Sequence, residues 1–306
     1  MFQSSDSIIL CPGQGAQHVG MGRQWFEQSS QAAKVYQAAD KYLSYELSQL
    51  CFSGPESNLN RTDLAQLAIY VTSIACFHAI HEHGHTGNIV GAAGLSLGEF
   101  SALHLAGAFD FQAGLELVRL RGQAMQEAAD SCRSGMVAII GCDAQQATEL
   151  CDRAGNDDIL VPANYNCPGQ IVISGTESAC TRAEQVAQDM KIKAKRLAVA
   201  GAFHSPIMQP AADRLAQALD KVNWNTPTFP VISNVCATPH DHNDIQSIKT
   251  RLVDQLTSPV LWTQSMLWTI EHIHGQFLEL APGKVLLGLM RKINRGVKVE
   301  NFDIPQ

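Results

Sequence analysis

A serine set between two glycines is the first residue in this sequence placed to do chemistry. Gly94-Leu-Ser-Leu-Gly98 follows a short apolar run, Ile89 to Ala93, and the stretch continues with apolar residues at Leu97, Ala102, Leu103, Leu105 and Ala106. The run reads as a buried strand and the later spacing as a helix. Glycines let the backbone close a tight strand-to-helix turn, and such a turn lifts the hydroxyl of Ser96 above the sheet edge as a nucleophile. The helix that follows aims its N-terminal N–H groups at any negative charge developing beside Ser96. A chance G-x-S-x-G occurs in roughly one chain of this length in ten; the strand before it and the helix after it set this one apart.

Other residues invite chemistry with less support from their surroundings. Pro12-Gly-Gln-Gly-Ala-Gln17 follows the apolar Ile8 to Cys11, where free backbone N–H groups could hold an anion. It lacks the Lys-Ser/Thr of a phosphate loop, so nucleotide binding is not expected, and on its own it reads as a tight turn before a helix. Arg119 and Arg121 are two apart on a predicted helix and therefore point to different faces, one toward solvent and one inward. His204 sits in the loop Gly201-Ala-Phe-His-Ser-Pro206, free to face a cleft, although a lone loop histidine is more often incidental. His81-Glu-His-Gly-His85 suggests a metal, but Gly84 breaks the helix that would align His81 with His85, and a solvated helix end is the simpler reading.

The elements that must position these residues alternate. Strand-like Ile8–Cys11 is followed by a helix around Trp25 to Ala39, a helical stretch from Leu59 to Ile80, the elbow, and a helix from Phe109 to Ala129. From Ser131 the texture changes: Met136–Gly141, Ile159–Tyr165, Gln170–Gly175 and Lys193–Val199 are strand-like, with helices at Ala144–Ala154 and Glu177–Met190. That β-α-β-β-α-β order is ferredoxin-like. Pro230–Val235 and Gln276–Leu280 are later strands, separated by helices. The expected fold is α/β: an α/β-hydrolase-like core with a mostly parallel sheet, residues 1–130 plus 200–306, carrying an inserted ferredoxin-like subdomain, residues 131–199.

Composition narrows the function class. The 306 residues carry 45% hydrophobic and 17% charged side chains and a formal charge of −7, which suits a globular protein and argues against nucleic acid as the main partner. No run of 18 uncharged apolar residues predicts a membrane span, and Met1 to Asp6 has no signal-peptide character. Nine cysteines, an odd number without a C-x-x-C pair, read as free thiols in a reducing cytosol, with Cys76, Cys142 and Cys236 in apolar surroundings.

Six stretches then fall into one order: Pro12-Gly-Gln-Gly-Ala-Gln17, Gly94-Leu-Ser-Leu-Gly-Glu99, Arg121-Gly-Gln-Ala-Met125, Gly201-Ala-Phe-His204, Ser258-Pro-Val260 and Pro282-Gly-Lys-Val285. Together they resemble the malonyl-CoA:acyl carrier protein transacylase family, which also supplies acyltransferase domains to polyketide and fatty acid synthases. The resemblance runs from about Ile8 to Ile293 and implies the same hydrolase-like core with a ferredoxin-like subdomain. It implies Ser96 as the nucleophile that takes malonyl as an ester, His204 as its general base, and the backbone carbonyl of Gln255 in place of a triad carboxylate. The backbone N–H groups of Gln14 and Leu97 match oxyanion-hole donors, which gives the Pro12–Gln17 loop a use beyond a turn. Arg121 matches the binder of the free malonyl carboxylate, leaving Arg119 solvated, and Phe203 matches the residue that excludes a 2-methyl branch. Met125, Asn166 and Val285 match pocket walls.

The implied partners are malonyl-CoA and holo-acyl carrier protein, with no cofactor or metal of the enzyme's own, no nucleic acid, no membrane, and a monomeric cytoplasmic protein. Leu95 and Phe100 depart from the commonest elbow, which has His and Tyr there. That leaves open a trans-acting polyketide synthase acyltransferase, an editing acyl hydrolase, or a malonate decarboxylase acyltransferase subunit. Basic clusters at Lys191, Lys193, Lys195 and Arg196, and at Arg291, Lys292, Arg295 and Lys298, are candidate docking faces for an acidic carrier, or plain solvated faces.

Overall fold

The computed structural model describes residues 6–305, so the reading of Met1–Ser5 lies outside the described residues. Ile8, Ile9 and Leu10 are each 0% exposed, a continuous apolar run of the kind a strand covered on both faces requires. They belong to β1 (Asp6–Cys11), the central strand of a five-stranded sheet ordered β7-β2-β1-β8-β9, with β2 Asn88–Gly94, β7 Val231–Ile232, β8 Gln276–Leu280 and β9 Val299–Phe302. Every pairing in this sheet is parallel. The elbow therefore leaves the C-terminal edge beside the central strand, where open α/β sheets place their ligands.

A second sheet, ordered β4-β5-β3-β6, is antiparallel: β3 Ser134–Ile140, β4 Leu160–Cys167, β5 Gln170–Thr176 and β6 Lys193–Arg196. The helices Ala144–Gly155 and Glu177–Asp189 complete the expected β-α-β-β-α-β succession. They bury Ala147, Leu150, Ala154, Ala179 and Ala183 over Val137, Ile139 and Ile173, an apolar cluster separate from that of the large sheet. The first of these helices opens with a capping box, Asp143 and Gln146 each accepting the other's backbone N–H. The two sheets are joined where Val260 pairs with β4: Tyr165 N–H donates to Val260 O and Val260 N–H to Ala163 O, each at 2.9 Å.

The helix Thr62–Glu82 is long and apolar enough to cross a membrane by length and composition, but 83% of its apolar window is buried inside the protein. It packs against the helices Ser30–Leu43 and Phe111–Ser131. Two of its polar residues are bonded inward: Thr72 Oγ1 to Ala68 O and Ser73 Oγ to Ala281 O, both at 2.7 Å. Three expectations need correction. The helix expected around Trp25 to Ala39 is two, Arg23–Gln28 and Ser30–Leu43, because Ser29 is extended and its hydroxyl caps the second. The strand expected at Pro230–Val235 stops at Ile232, since Asn234 turns its backbone and side chain to the elbow. Cys236 is exposed, although Cys76 and Cys142 are buried as expected; all nine thiols are free.

Candidate active site

Three glycines make the elbow possible. A Cβ on Gly94 would lie 1.9 Å from the Gly98 carbonyl carbon, one on Gly98 2.1 Å from Cys11 O, and one on Gly13 2.2 Å from Leu95 O. The β1 loop, β2 and the helix Gly98–Leu105 are thus in backbone contact, closer than any side chain permits. Between them Ser96 adopts φ 52°, and His204 likewise adopts φ 57°. Both are left-handed positions that a non-glycine residue occupies under strain and that cluster where side chains do chemistry.

Ser96 Oγ lies 2.9 Å from His204 Nε2, and His204 Nδ1 lies 2.7 Å from the main-chain oxygen of Gln255. A carbonyl can only accept, so Nδ1 carries the proton and Nε2 presents its lone pair to the serine hydroxyl. Burial, then the positive charge of Arg121, lowers the His204 pKa to about 4 against the partial support of the Gln255 carbonyl. The imidazole is therefore neutral and able to accept a proton at physiological pH.

Arg121 is 1% exposed, and it points inward as one of the two arginines was expected to. Its Nη1 donates to Gln66 Oε1 at 2.6 Å, and its Nη2 to Ser96 Oγ at 3.0 Å and Gln255 Oε1 at 2.9 Å, all uncharged acceptors. Nε has no partner. Burial lowers this guanidinium to about 10, with Glu99 opposing the shift; it remains a cation in a dry site, beside the serine and short of an anion. Arg119 is the solvated one, paired with Glu116.

A cleft of about 320 Å³ opens over these groups, lined among others by Gln14, Ser96, Met125, Asn166, Phe203 and His204. The backbone N–H groups of Gln14 and Leu97 donate to no acceptor among the described residues. Leu95 also lines the cleft, and Phe100 lies under the Arg121 guanidinium, 5.4 Å from its carbon. Val285 must be corrected: it is 39% exposed at the start of the helix Val285–Ile293 and does not line the cleft. A larger hollow, about 460 Å³, is bounded by Asp110, Glu116, Arg214 and Lys221 and contains none of these residues.

The histidine cluster at His81–His85 is dispersed onto local partners, His81 Nδ1 on Thr86 Oγ1 and His83 Nδ1 on Ala79 O. Among the described residues no group of three His, Cys, Asp or Glu side chains is placed to hold a metal ion. Residues that sequence reasoning missed are Gln66, Asn234, His240 and the side-chain amide of Gln255. Glu99 was visible within the elbow motif without a role.

A nucleophile-and-base pair opening on a cleft from a strained elbow, with a buried cation bonded to the nucleophile's hydroxyl, defines an acyl-transfer enzyme of α/β-hydrolase-like architecture. The chain belongs to the acyl transferase domain family, whose model matches residues 8–302. It is 42% identical over 304 residues to malonyl CoA-acyl carrier protein transacylase of Bacillus subtilis (strain 168), covering 99% of this chain and 95% of that protein. The solved structure of the transacylase of the same name from Coxiella burnetii superposes with a TM-score of 0.94 at 35% identity, covering 99% of this chain and 96% of that one. A type II polyketide synthase acyl-carrier protein in complex with its malonyl-transacylase matches at a TM-score of 0.93 and 35% identity, covering 98% and 96%.

Proposed function

We propose that this enzyme moves malonyl from malonyl-CoA to the phosphopantetheine thiol of holo-acyl carrier protein through a malonyl-Ser96 ester, supplying fatty acid synthesis. The observation that carries it is the placing of Ser96 Oγ between His204 Nε2, at 2.9 Å, and Arg121 Nη2, at 3.0 Å. His204 takes the Ser96 proton as Oγ attacks the thioester carbonyl. The oxyanion falls to the N–H groups of Gln14 and Leu97, each such donor being worth about 2.7–4 kcal/mol. Collapse expels coenzyme A, whose thiolate takes the proton from His204. The carrier's thiol then gives its proton to His204, attacks the ester, and leaves with malonyl while Ser96 recovers the proton. Throughout, Arg121 holds the malonyl carboxylate bidentately, so acetyl, which lacks that group, leaves a buried cation unpaired.

The pantetheine arrives on each substrate, so the enzyme needs no cofactor or metal of its own. We assign it to the cytoplasm as a monomer, with residues 1–130 plus 200–306 as the catalytic core and 131–199 as the smaller unit. A polyketide carrier as acceptor is the second reading, favoured by the likeness to the polyketide transacylase–carrier complex.

Intact mass after brief exposure to malonyl-CoA, beside acetyl-CoA and followed by a chase with holo-carrier, tests the proposal. A malonyl adduct on Ser96 that is stable in buffer and discharged by the carrier is expected. Adducts from both donors that decay in plain buffer would establish a hydrolase instead.

A further inference from the structure

Behind the elbow lies a buried cluster that the transfer steps do not use. Glu99 is 0% exposed. Its Oε1 is 2.6 Å from His240 Nε2, and its Oε2 accepts from the main-chain N–H of Asn234 at 3.1 Å and from Gln255 Nε2 at 2.6 Å. Two N–H donors therefore converge on Oε2, while Oε1 faces the His240 ring nitrogen, whose donor or acceptor role is set by its tautomer.

The groups held this way reach the site directly. Asn234 Oδ1 accepts the Ser96 N–H at 2.6 Å, and its Nδ2 donates to Gly94 O at 2.7 Å, clasping both sides of the elbow. Gln255 Nε2 also donates to Ser96 O at 3.0 Å, while its Oε1 accepts from Arg121 Nη2 at 2.9 Å. A side-chain amide has a donor end and an acceptor end. With the donor end committed to the carboxylate and the Ser96 carbonyl, the acceptor end faces Arg121. Turned over, the amide would set N–H against a guanidinium that has only donors.

We infer that Glu99 is a positioning residue for malonyl recognition, orienting the Gln255 amide so that Arg121 is held with Nη2 at Ser96. It acts through Gln255 and touches neither substrate nor the reacting atoms. The inference rests on the malonyl-transfer reading and adds to it the source of the arginine's aim. Among the described residues Arg121 otherwise hydrogen-bonds only Gln66 and Ser96, and a buried guanidinium free to swing loses the bidentate geometry that tells a carboxylate from a methyl group.

Rates of Ser96 acylation by malonyl-CoA and acetyl-CoA, followed by intact mass, provide the test. E99Q puts an amide NH2 in place of one carboxyl oxygen, against the Asn234 and Gln255 donors or against the His240 ring. We expect KM for malonyl-CoA to rise and the malonyl-to-acetyl rate ratio to fall at least about tenfold, with acetyl acylation little changed. Gln255→Met removes the side-chain amide and keeps the carbonyl that holds His204. It should lower the ratio equally, and E99Q added to it should cost nothing further, as members of one relay behave. A ratio that stays at the wild-type value while both acylation rates fall together means a structural role only and overturns the inference. Should E99Q fail to fold, the ratio in Gln255→Met decides in the same way. Absence of a malonyl adduct on the wild type defeats the transfer reading itself, a separate result.

Discussion

At the scale of single residues, the site depends on two buried groups whose charges oppose each other's ionisation. His204 is lowered to about 4 by burial and by the Arg121 charge. The base must be neutral to take the Ser96 proton, so acylation by malonyl-CoA should be level at neutral pH and decline on acidification through about 4, well below the 6.5 of an ordinary imidazole. A stopped-flow pH profile of kcat/KM checks this. Arg121→Met should move that limb upward toward the ordinary value, because one of its two depressing causes is gone. The same substitution leaves a malonyl carboxylate unpaired beside Ser96, at a cost of about 3–5 kcal/mol, or roughly 10²–10⁴-fold in acylation. Acetyl acylation should fall far less, and an equal loss with both donors would mean that Arg121 does not select.

At the scale of elements, the turn carrying Ser96 requires three backbones to touch. Gly98→Ala would drive a Cβ to 2.1 Å from Cys11 O, and overpacking of this kind costs about 1–3 kcal/mol or displaces the elbow. Gly288, within the helix Val285–Ile293, has open space where its Cβ would stand. Alanine there should stabilise by about 0.5–1 kcal/mol through helix propensity alone. Urea midpoints of the two variants should therefore move in opposite directions, with acylation lost only in the first. These local demands are why the elbow and the antiparallel unit were legible in the sequence: glycine spacing and strand-helix order record them directly, whereas the pairing of Ser96 with His204, 108 residues apart, was legible only through the family resemblance. The Glu99–Asn234–His240 cluster was not, because its members lie 135 and 141 residues apart and meet only through the pairing of β2 with β7. Val285 failed for the related reason that a position inside a matched motif does not fix which way a helix start faces.

At the scale of the whole molecule, an acidic chain has to receive a carrier expected to be acidic too. Formal charge is −7 overall, so docking must draw on local fields rather than the net one. β6 places Lys193 and Lys195 on its exposed side and runs directly into Leu197–Val199, which line the cleft. Arg196, on the inner side, is occupied by Glu177 and Glu184, which removes it from any docking role and narrows the first cluster to its lysines. Carrier association should therefore be steered by Lys193 and Lys195. Reversing both to Glu should slow discharge of malonyl-Ser96 by the carrier about tenfold at low salt and flatten its salt dependence. Acylation by malonyl-CoA, which does not require the carrier, separates this effect from damage to the site and should stay near wild type. Discharge kinetics that keep their rate and salt slope would move the docking face to the second cluster, Arg291, Lys292, Arg295 and Lys298, two of which lie in the last turn of the helix Val285–Ile293 and two of which follow it. Pantetheine alone, a neutral acceptor without a docking surface, should discharge the wild type and the double variant at the same rate, because steering acts on the encounter and not on the transfer.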